Sequence, residues 1–513
     1  MRWILATVLL MRLCPICDGA EPVANPFTPR TPAAIPKVVA PGGYARQTPA
    51  NTARAVAMAI EDGLDAMELD VRRTKDGRHV IFDADQLDGK SSGTGPLREQ
   101  TLADLQALDF GSWFAKRFAG AKIVTLGECL DMARGKAGLV LVGRDVEPEA
   151  FAREILAAEM ADQVVVSATD DVLSRLRELS AGKIRTLRPL PADQDAKEWL
   201  AVGIAGKEPE VALVPAAKAT TETCDTLHTK QVCVVSDARG PNDNPEGWDR
   251  LLAAHVDIVR TDRPEEFLAH AISLRTANRT VKYAAHRGAL RYAPENTVAS
   301  LDAAAKLHAD FVEIDVHTTS DGGLFLLHDG TLDRTTNGRG RVRQATNEVM
   351  RGLDAGSWFG LPFAGAAVPE LDGYLAKFPS SMGLYFDAKD ITPEELAAAV
   401  AKHNLVERTV VYQGPVYLEK LKQINPAIRT LAPVAAASHV DTLAKRFKPY
   451  AVDTAWKLLS PEYIKHCHEL DIKVFSDAKG DTTIEQYRQA IEWGIDLIQT
   501  DHPLRLWRAI DQL

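Results

Sequence analysis

The sequence predicts an α/β protein of two tandem (β/α)8 barrels of the TIM type. Three observations lead there. The chain has 513 residues, about twice what one barrel uses. It repeats itself once along its length. Within each copy, short β-rich runs alternate with helix-like ones, the pattern of a parallel sheet. Bulk composition agrees: 46% hydrophobic and 25% charged residues are ordinary for a folded core. The net charge of −10 argues against a nucleic-acid binder, which needs a basic face. Six cysteines are too few for a disulfide-built scaffold.

The first 20 residues read as a secretory signal peptide. Arg2 precedes an apolar run over 3–11, too short to span a bilayer, and small Gly19 and Ala20 follow. A periplasmic or secreted location is the expectation, and no later stretch is long and apolar enough for a stable membrane span. Cys14 and Cys17 lack the small residues that precede a lipidated cysteine. Residues 21–37 carry Pro22, Pro26, Pro29, Pro32 and Pro36, which predicts an extended linker.

The repeat then begins. MELDVRRTKDG at 67–77 matches VEIDVHTTSDG at 312–322, an offset of 245. At that offset Pro49-Ala50-Asn51-Thr52 meets Pro294-Glu295-Asn296-Thr297, and Leu108–Phe114 meets Leu353–Phe359. Later, VVSDARG at 234–240 matches VFSDAKG at 474–480, and VDIVRTDRP at 256–264 matches IDLIQTDHP at 495–503. Two copies, 38–272 and 281–513, are therefore expected around a linker at 273–280. In the second copy strands are predicted at 282–285, 311–316, 324–327, 383–386, 409–412, 472–475 and 497–499. Helices are predicted at 298–307, 393–403, 416–424, 461–469 and 484–493. An open doubly wound sheet is the competing fold, but no glycine-rich nucleotide fingerprint follows a first strand.

Active sites of barrels lie at strand C-terminal ends, and notable polar residues of the second copy fall there. Glu313 and Asp315 lie two apart on one strand, so both point to one face. Two carboxylates aimed into an interior need a cation or shared protons, and oxygen donors suit Mg²⁺ or Ca²⁺. His286 and His328 end strands expected to converge, where two imidazoles can work as acid and base. Singly, each reads as a structural histidine. Arg287 and Lys389 offer cations for a phosphate, and singly read as surface residues. Asn296 and Thr297 precede a helix and are expected to cap it, while Glu295 could face the site.

HRG at 286–288, PENT at 294–297, ExD at 313–315, TSDG at 319–322, LLHD at 326–329, DRTTNGRG at 333–340 and GIDLIQTDHP at 494–503 together resemble the glycerophosphodiester phosphodiesterase family. The resemblance spans the second copy. It implies a barrel and metal-dependent hydrolysis of glycerophosphodiesters to glycerol 3-phosphate and an alcohol. It implies that Glu313, Asp315 and Asp387 bind a divalent cation, that His286 and His328 are the acid/base pair, and that Arg287 and Lys389 bind substrate. The family usually has Glu where Asp387 stands. Phe475 stands where a Trp is usual, and Gln413-Gly414-Pro415 replaces a usual Ser-Phe. These departures bear on the cation and on the alcohol. A phospholipase D-like enzyme of lysolipids or sphingolipids, and a non-catalytic phosphate- or carbohydrate-binding double barrel, are the alternatives. A small-molecule substrate, with no nucleic-acid partner, is expected in the first two.

In the first copy His286 maps to Pro41, Arg287 to Gly42, His328 to Asp83 and Asp387 to Val142. Glu68, Asp70 and Arg144 persist. A two-histidine mechanism cannot run there, so a degenerate folded partner is expected. A residual ligand or cation site at Glu68, Asp70 and Asp83 is the sharper alternative. Cys224 and Cys233 could form a disulfide or stay as buried thiols.

Overall fold

A computed structural model describes residues 25–31, 34–203, 209–478 and 480–513. The predicted signal peptide, with Cys14 and Cys17, lies outside the described residues, as do 21–24 and 32–33 of the proline-rich stretch. Two closed barrels follow one another. The first has staves Lys37–Pro41, Ala66–Arg73, Gly138–Gly143, Val164–Ser167, Arg185–Pro189, Val211–Pro215, Cys233–Asp237 and Ile258–Arg260, all parallel. Its first strand pairs with both its second and its last: Val39 faces Ala66 on one side and Arg260 on the other. The second barrel has staves Lys282–Ala285, Phe311–Thr318, Gly383–Asp387, Thr409–Tyr412, Arg429–Val434, Ala451–Thr454, Lys473–Ala478 and Leu497–Thr500. Ala284 closes it in the same register, between Phe311 and Gln499. Parallel staves put every strand C-terminus of a barrel on one face.

Two differences from the sequence reading concern the second barrel. The run expected at 324–327 is strand Leu324–Leu326, and it is not a stave. It runs antiparallel to the overhanging end of Phe311–Thr318, with Val316 opposite Leu326. The staves Arg429–Val434 and Ala451–Thr454 were not among the expected strands. Pro433 and Asp453 interrupt their apolar runs, and alternation is lost when both faces are covered.

Each barrel has its own interior core. The first is filled by Val39, Val140, Val165, Leu187, Val211, Cys233, Val235 and Ile258, and by Phe27 from the proline-rich stretch. That stretch is thus packed rather than free at this point. A Cβ on Gly138 would meet Pro26 at 2.3 Å and Phe27 at 3.0 Å, so the bare backbone makes room for it. Arg30 fastens the segment through Asp257, at 2.7 Å from its backbone N–H. The second interior holds Ala284, Tyr385, Val410, Leu431, Ala451, Phe475 and Leu497. Burying one such large side chain contributes roughly 1.5–3 kcal/mol.

The barrels touch. Helices Pro264–Arg275 and Pro503–Asp511, the last of each copy, pack together. The turn after helix Ala53–Glu61 reaches across the contact: Glu61 accepts from Arg505 Nε through its carbonyl at 2.7 Å, and Asp65 pairs with Arg508 at 2.8 Å. Cys129, Cys224, Cys233 and Cys467 are free and buried, so 224 and 233 form no disulfide. No helix among the described residues is long and apolar enough to cross a membrane.

Candidate active site

The site of the second barrel is built at the strand C-termini. Strand Lys282–Ala285 ends in His286, whose Nδ1 lies 2.6 Å from Asp501 Oδ1, just past strand Leu497–Thr500. A carboxylate on Nδ1 fixes the tautomer and leaves Nε2 for chemistry. Arg287 takes a left-handed backbone conformation (φ 52°), which turns its own N–H onto Glu313 Oε2 at 2.7 Å. Gly288 follows at φ 76°, where a Cβ would lie 2.3 Å from Ser300 Oγ. The HRG run is therefore a tight turn that only this glycine fits, beneath the helix Val298–Lys306.

Thr297 caps that helix by accepting from Ser300 N at 3.2 Å, as expected. Asn296 does not cap it. With φ 54° it faces the barrel, accepting from Asp315 N at 3.1 Å and donating Nδ2–H to Asp315 Oδ2 at 2.7 Å. Asn51 keeps the first of these bonds in the other barrel, to Asp70 N at 3.0 Å, which marks it as part of the fold. Glu295 does face the site, held by Arg287 at 3.0 Å and by Arg334 at 2.7 and 2.8 Å.

Glu313, Asp315 and Asp387 come together, with one ligand-capable oxygen from each lying within 4.8 Å of the others. Asp315 and Asp387 sit opposite each other in register on neighbouring staves. Burial lifts the Glu313 carboxyl well above its usual range, and Asp315 and Asp387 lift it further. Burial also lifts Asp387, against the pull of Lys389. Burial opposes the charge on Asp315 too, but Lys389 and Asn296 outweigh it and hold it low. Lys389 Nζ lies 3.0 Å from Asp315 Oδ1 and also pairs with Asp387. Arg287 Nε adds a second cation, 3.7 Å from Asp315 Oδ2. Two cations for three inward carboxylates still leave the group short of positive charge, and its all-oxygen donor set fits a hard divalent cation.

His328 follows the antiparallel strand rather than a stave. Its Nδ1 lies 2.7 Å from Asp329 Oδ1, again leaving Nε2 open. Arg334 braces Asp329 at 2.7 Å, and His317 Nε2 lies 3.2 Å from the His328 carbonyl oxygen. Sequence reasoning missed Asp501, Asp329, Arg334 and His317. Asp329 directly follows a candidate histidine. Asp501 stands in the repeated TDRP/TDHP run, where the repeat itself was the available signal.

The first barrel has the same frame with different contents. Asp70 pairs with Arg144 at 2.8 Å and Asp83 with Lys90 at 2.7 Å. Glu68 accepts from Arg260 at 2.7 and 2.5 Å. Each of the three carboxylates of the sharper alternative pairs with a base, Arg260 being shared with Asp237 at 2.6 Å. Among the described residues the second barrel's triad is the one group of three or more arranged to hold a metal ion.

The model of the glycerophosphoryl diester phosphodiesterase family matches residues 42–266 and again 286–505. A glycerophosphodiester phosphodiesterase of Bacillus subtilis is 33% identical over 246 residues, 43% of this chain and 83% of that protein. One from Caldanaerobacter subterraneus subsp. tengcongensis is 33% identical over 234 residues, 43% of this chain and 93% of that protein. The crystal structure of a glycerophosphodiester phosphodiesterase from Agrobacterium tumefaciens str. C58 shares 31% identity, covers 44% of this chain and 99% of its own, and has a TM-score of 0.42.

Proposed function

The chain belongs to the glycerophosphoryl diester phosphodiesterase family, and on that premise we propose that its second barrel hydrolyses glycerophosphodiesters to glycerol 3-phosphate and an alcohol. One observation carries the assignment to that barrel. Among the described residues it alone joins two carboxylate-oriented imidazoles, His286 and His328, to the Glu313, Asp315 and Asp387 triad.

In this reading Arg287 and Lys389 draw the phosphodiester in and hold its non-bridging oxygens. A divalent cation, Mg²⁺ or Ca²⁺, held by Glu313, Asp315 and Asp387 would supply further stabilisation of the charge that builds at phosphorus. One histidine accepts the proton of the neighbouring glycerol hydroxyl through Nε2. The freed oxygen attacks phosphorus, the bond to the alcohol oxygen breaks, and the other histidine protonates that oxygen. Water then opens the cyclic phosphate with the two histidines in exchanged roles. Asp501 and Asp329 hold each ring in place and stabilise it when doubly protonated.

Lys389 spans Asp315 and Asp387, so substrate binding draws on a charge that the acids already share. Export to the periplasm or beyond is part of the same proposal, with cleavage near Ala20 as its mark. Release of glycerol 3-phosphate from glycerophosphocholine, with and without chelator, tests the function. Release that a chelator abolishes supports it. No release, with turnover of a lysolipid instead, would favour the phospholipase D-like alternative.

A further inference from the structure

Asp62 stands at the end of helix Ala53–Glu61 in the first barrel and is completely buried. A buried carboxylate is costly unless it is paired. The pairing comes from the other barrel. Asp62 Oδ1 lies 2.6 Å from Arg291 Nε and 3.6 Å from His502 Nδ1, and Oδ2 accepts from the Tyr292 hydroxyl at 3.0 Å. Glu61 beside it reinforces the grip, accepting from Arg291 at 3.0 Å. At the offset of 245 the second barrel has Leu307, so the barrel fold itself does not call for a charge here.

The two segments Asp62 grips are those that hold His286. Arg291 and Tyr292 belong to the turn that His286 opens, and Tyr292 N–H donates back to Ala289 at 2.9 Å. His502 is the neighbour of Asp501, whose carboxylate lies 2.6 Å from His286 Nδ1. The imidazole and its orienting carboxylate come from opposite ends of the second barrel, 215 positions apart. A single carboxylate from the first barrel ties both ends together.

We propose that Asp62 is a positioning residue for the second barrel's reaction, and that the degenerate first barrel supplies it as a clamp on the His286–Asp501 pair. This rests on the reading of His286 as a proton carrier. Burial opposes the charge on Asp62, but Arg291 and His502 outweigh it, so the group stays ionised across the neutral range.

The test compares Asp62→Asn, Tyr292→Phe, Asp65→Asn and His286→Ala in the full chain, measuring kcat and KM with glycerophosphocholine, and Tm. Asp62→Asn is expected to lower kcat at least tenfold with KM within twofold of the parent. Tyr292→Phe, which removes one hydroxyl, should lower kcat by a smaller factor. Asp65→Asn cuts the Arg508 contact of the same interface away from the catalytic turn. It should lower Tm and leave kcat in place. A kcat within twofold of the parent in Asp62→Asn overturns the proposal, as does an equal kcat loss in Asp65→Asn, which would mark a general docking effect. If Asp62→Asn does not fold, unchanged kcat in Tyr292→Phe overturns it. An inactive His286→Ala beside a fully active Asp62→Asn refutes the clamp alone. An active His286→Ala refutes the reading beneath it.

Discussion

Arg260 holds Glu68 from two staves away, over the first strand that lies between them, through Nε at 2.7 Å and a terminal nitrogen at 2.5 Å. The same strand position in the second barrel is Gln499, which faces Ala284 as Arg260 faces Val39. The built-in guanidinium meets the charge of the Glu68 carboxylate. The neutral amide cannot do so for Glu313, whose carboxyl is pushed up by burial and by its two acidic neighbours.

One divalent cation per chain is therefore expected. Equilibrium dialysis with metal analysis measures the ratio. Glu313→Gln should abolish binding, and chelation should abolish turnover. A ratio of two would show that the first barrel keeps a site of its own.

Removing the guanidinium should cost stability rather than activity. Arg260→Gln leaves Glu68 buried without its partner, and breaking such a pair costs about 3–5 kcal/mol. The expected result is a clear drop in the denaturant midpoint with kcat kept within a few-fold. A kcat loss as large as that of a histidine variant would contradict this division between the barrels.

His286→Ala and His328→Ala should each lower kcat by about a hundredfold or more, the usual scale for loss of a general acid or base. Their Tm should stay within a few degrees of the parent, because both side chains are half exposed. Turnover near the parent value in either one would remove it from the mechanism.

Stability should carry the mark of Glu265. Burial pushes this carboxyl up to about 7, more than Arg46 pulls it down, with Glu266 adding to the rise. Between about 4.5 and 7 the folded chain keeps a proton that the unfolded chain has released. Its contribution to stability is present at low pH and is lost as pH rises to about 7, on the order of 3 kcal/mol in all. Against the parent, Glu265→Gln should gain stability across that interval and stay level above it. Parallel Tm-versus-pH curves for the two proteins would refute the assignment.

Much of this was legible in the residues. The repeat gave two barrels, and the spacing of Glu313 and Asp315 gave one inward face. The partners of the histidines were not legible in the same way. Asp501 meets His286 only because the first and last strands of a barrel are neighbours, a relation that no local pattern carries. His328 was expected on a stave, and the structure sets it on an antiparallel strand beside the barrel. Runs of apolar residues do not say whether a strand joins the ring. Proline spacing says nothing about packing, so Phe27 as the floor of the first interior was invisible. Asn is common at helix caps, which is what the sequence suggests for Asn296, whereas its left-handed backbone turns the amide inward.

Closure of each ring through its first strand also sets an order of events during synthesis. Val39 cannot find Arg260 until roughly 220 further residues have been made, and contacts of such long range are the slow ones in folding. Domains made first generally fold first. The first barrel is therefore expected to close before the second docks on it, with Asp62 in water at its surface until then. Arg291 and Tyr292 reach it early in the second copy, and His502 arrives almost at the end of the chain. In the folded chain that carboxylate is completely buried, so on this order the second half of the molecule takes its final shape against a first half already formed.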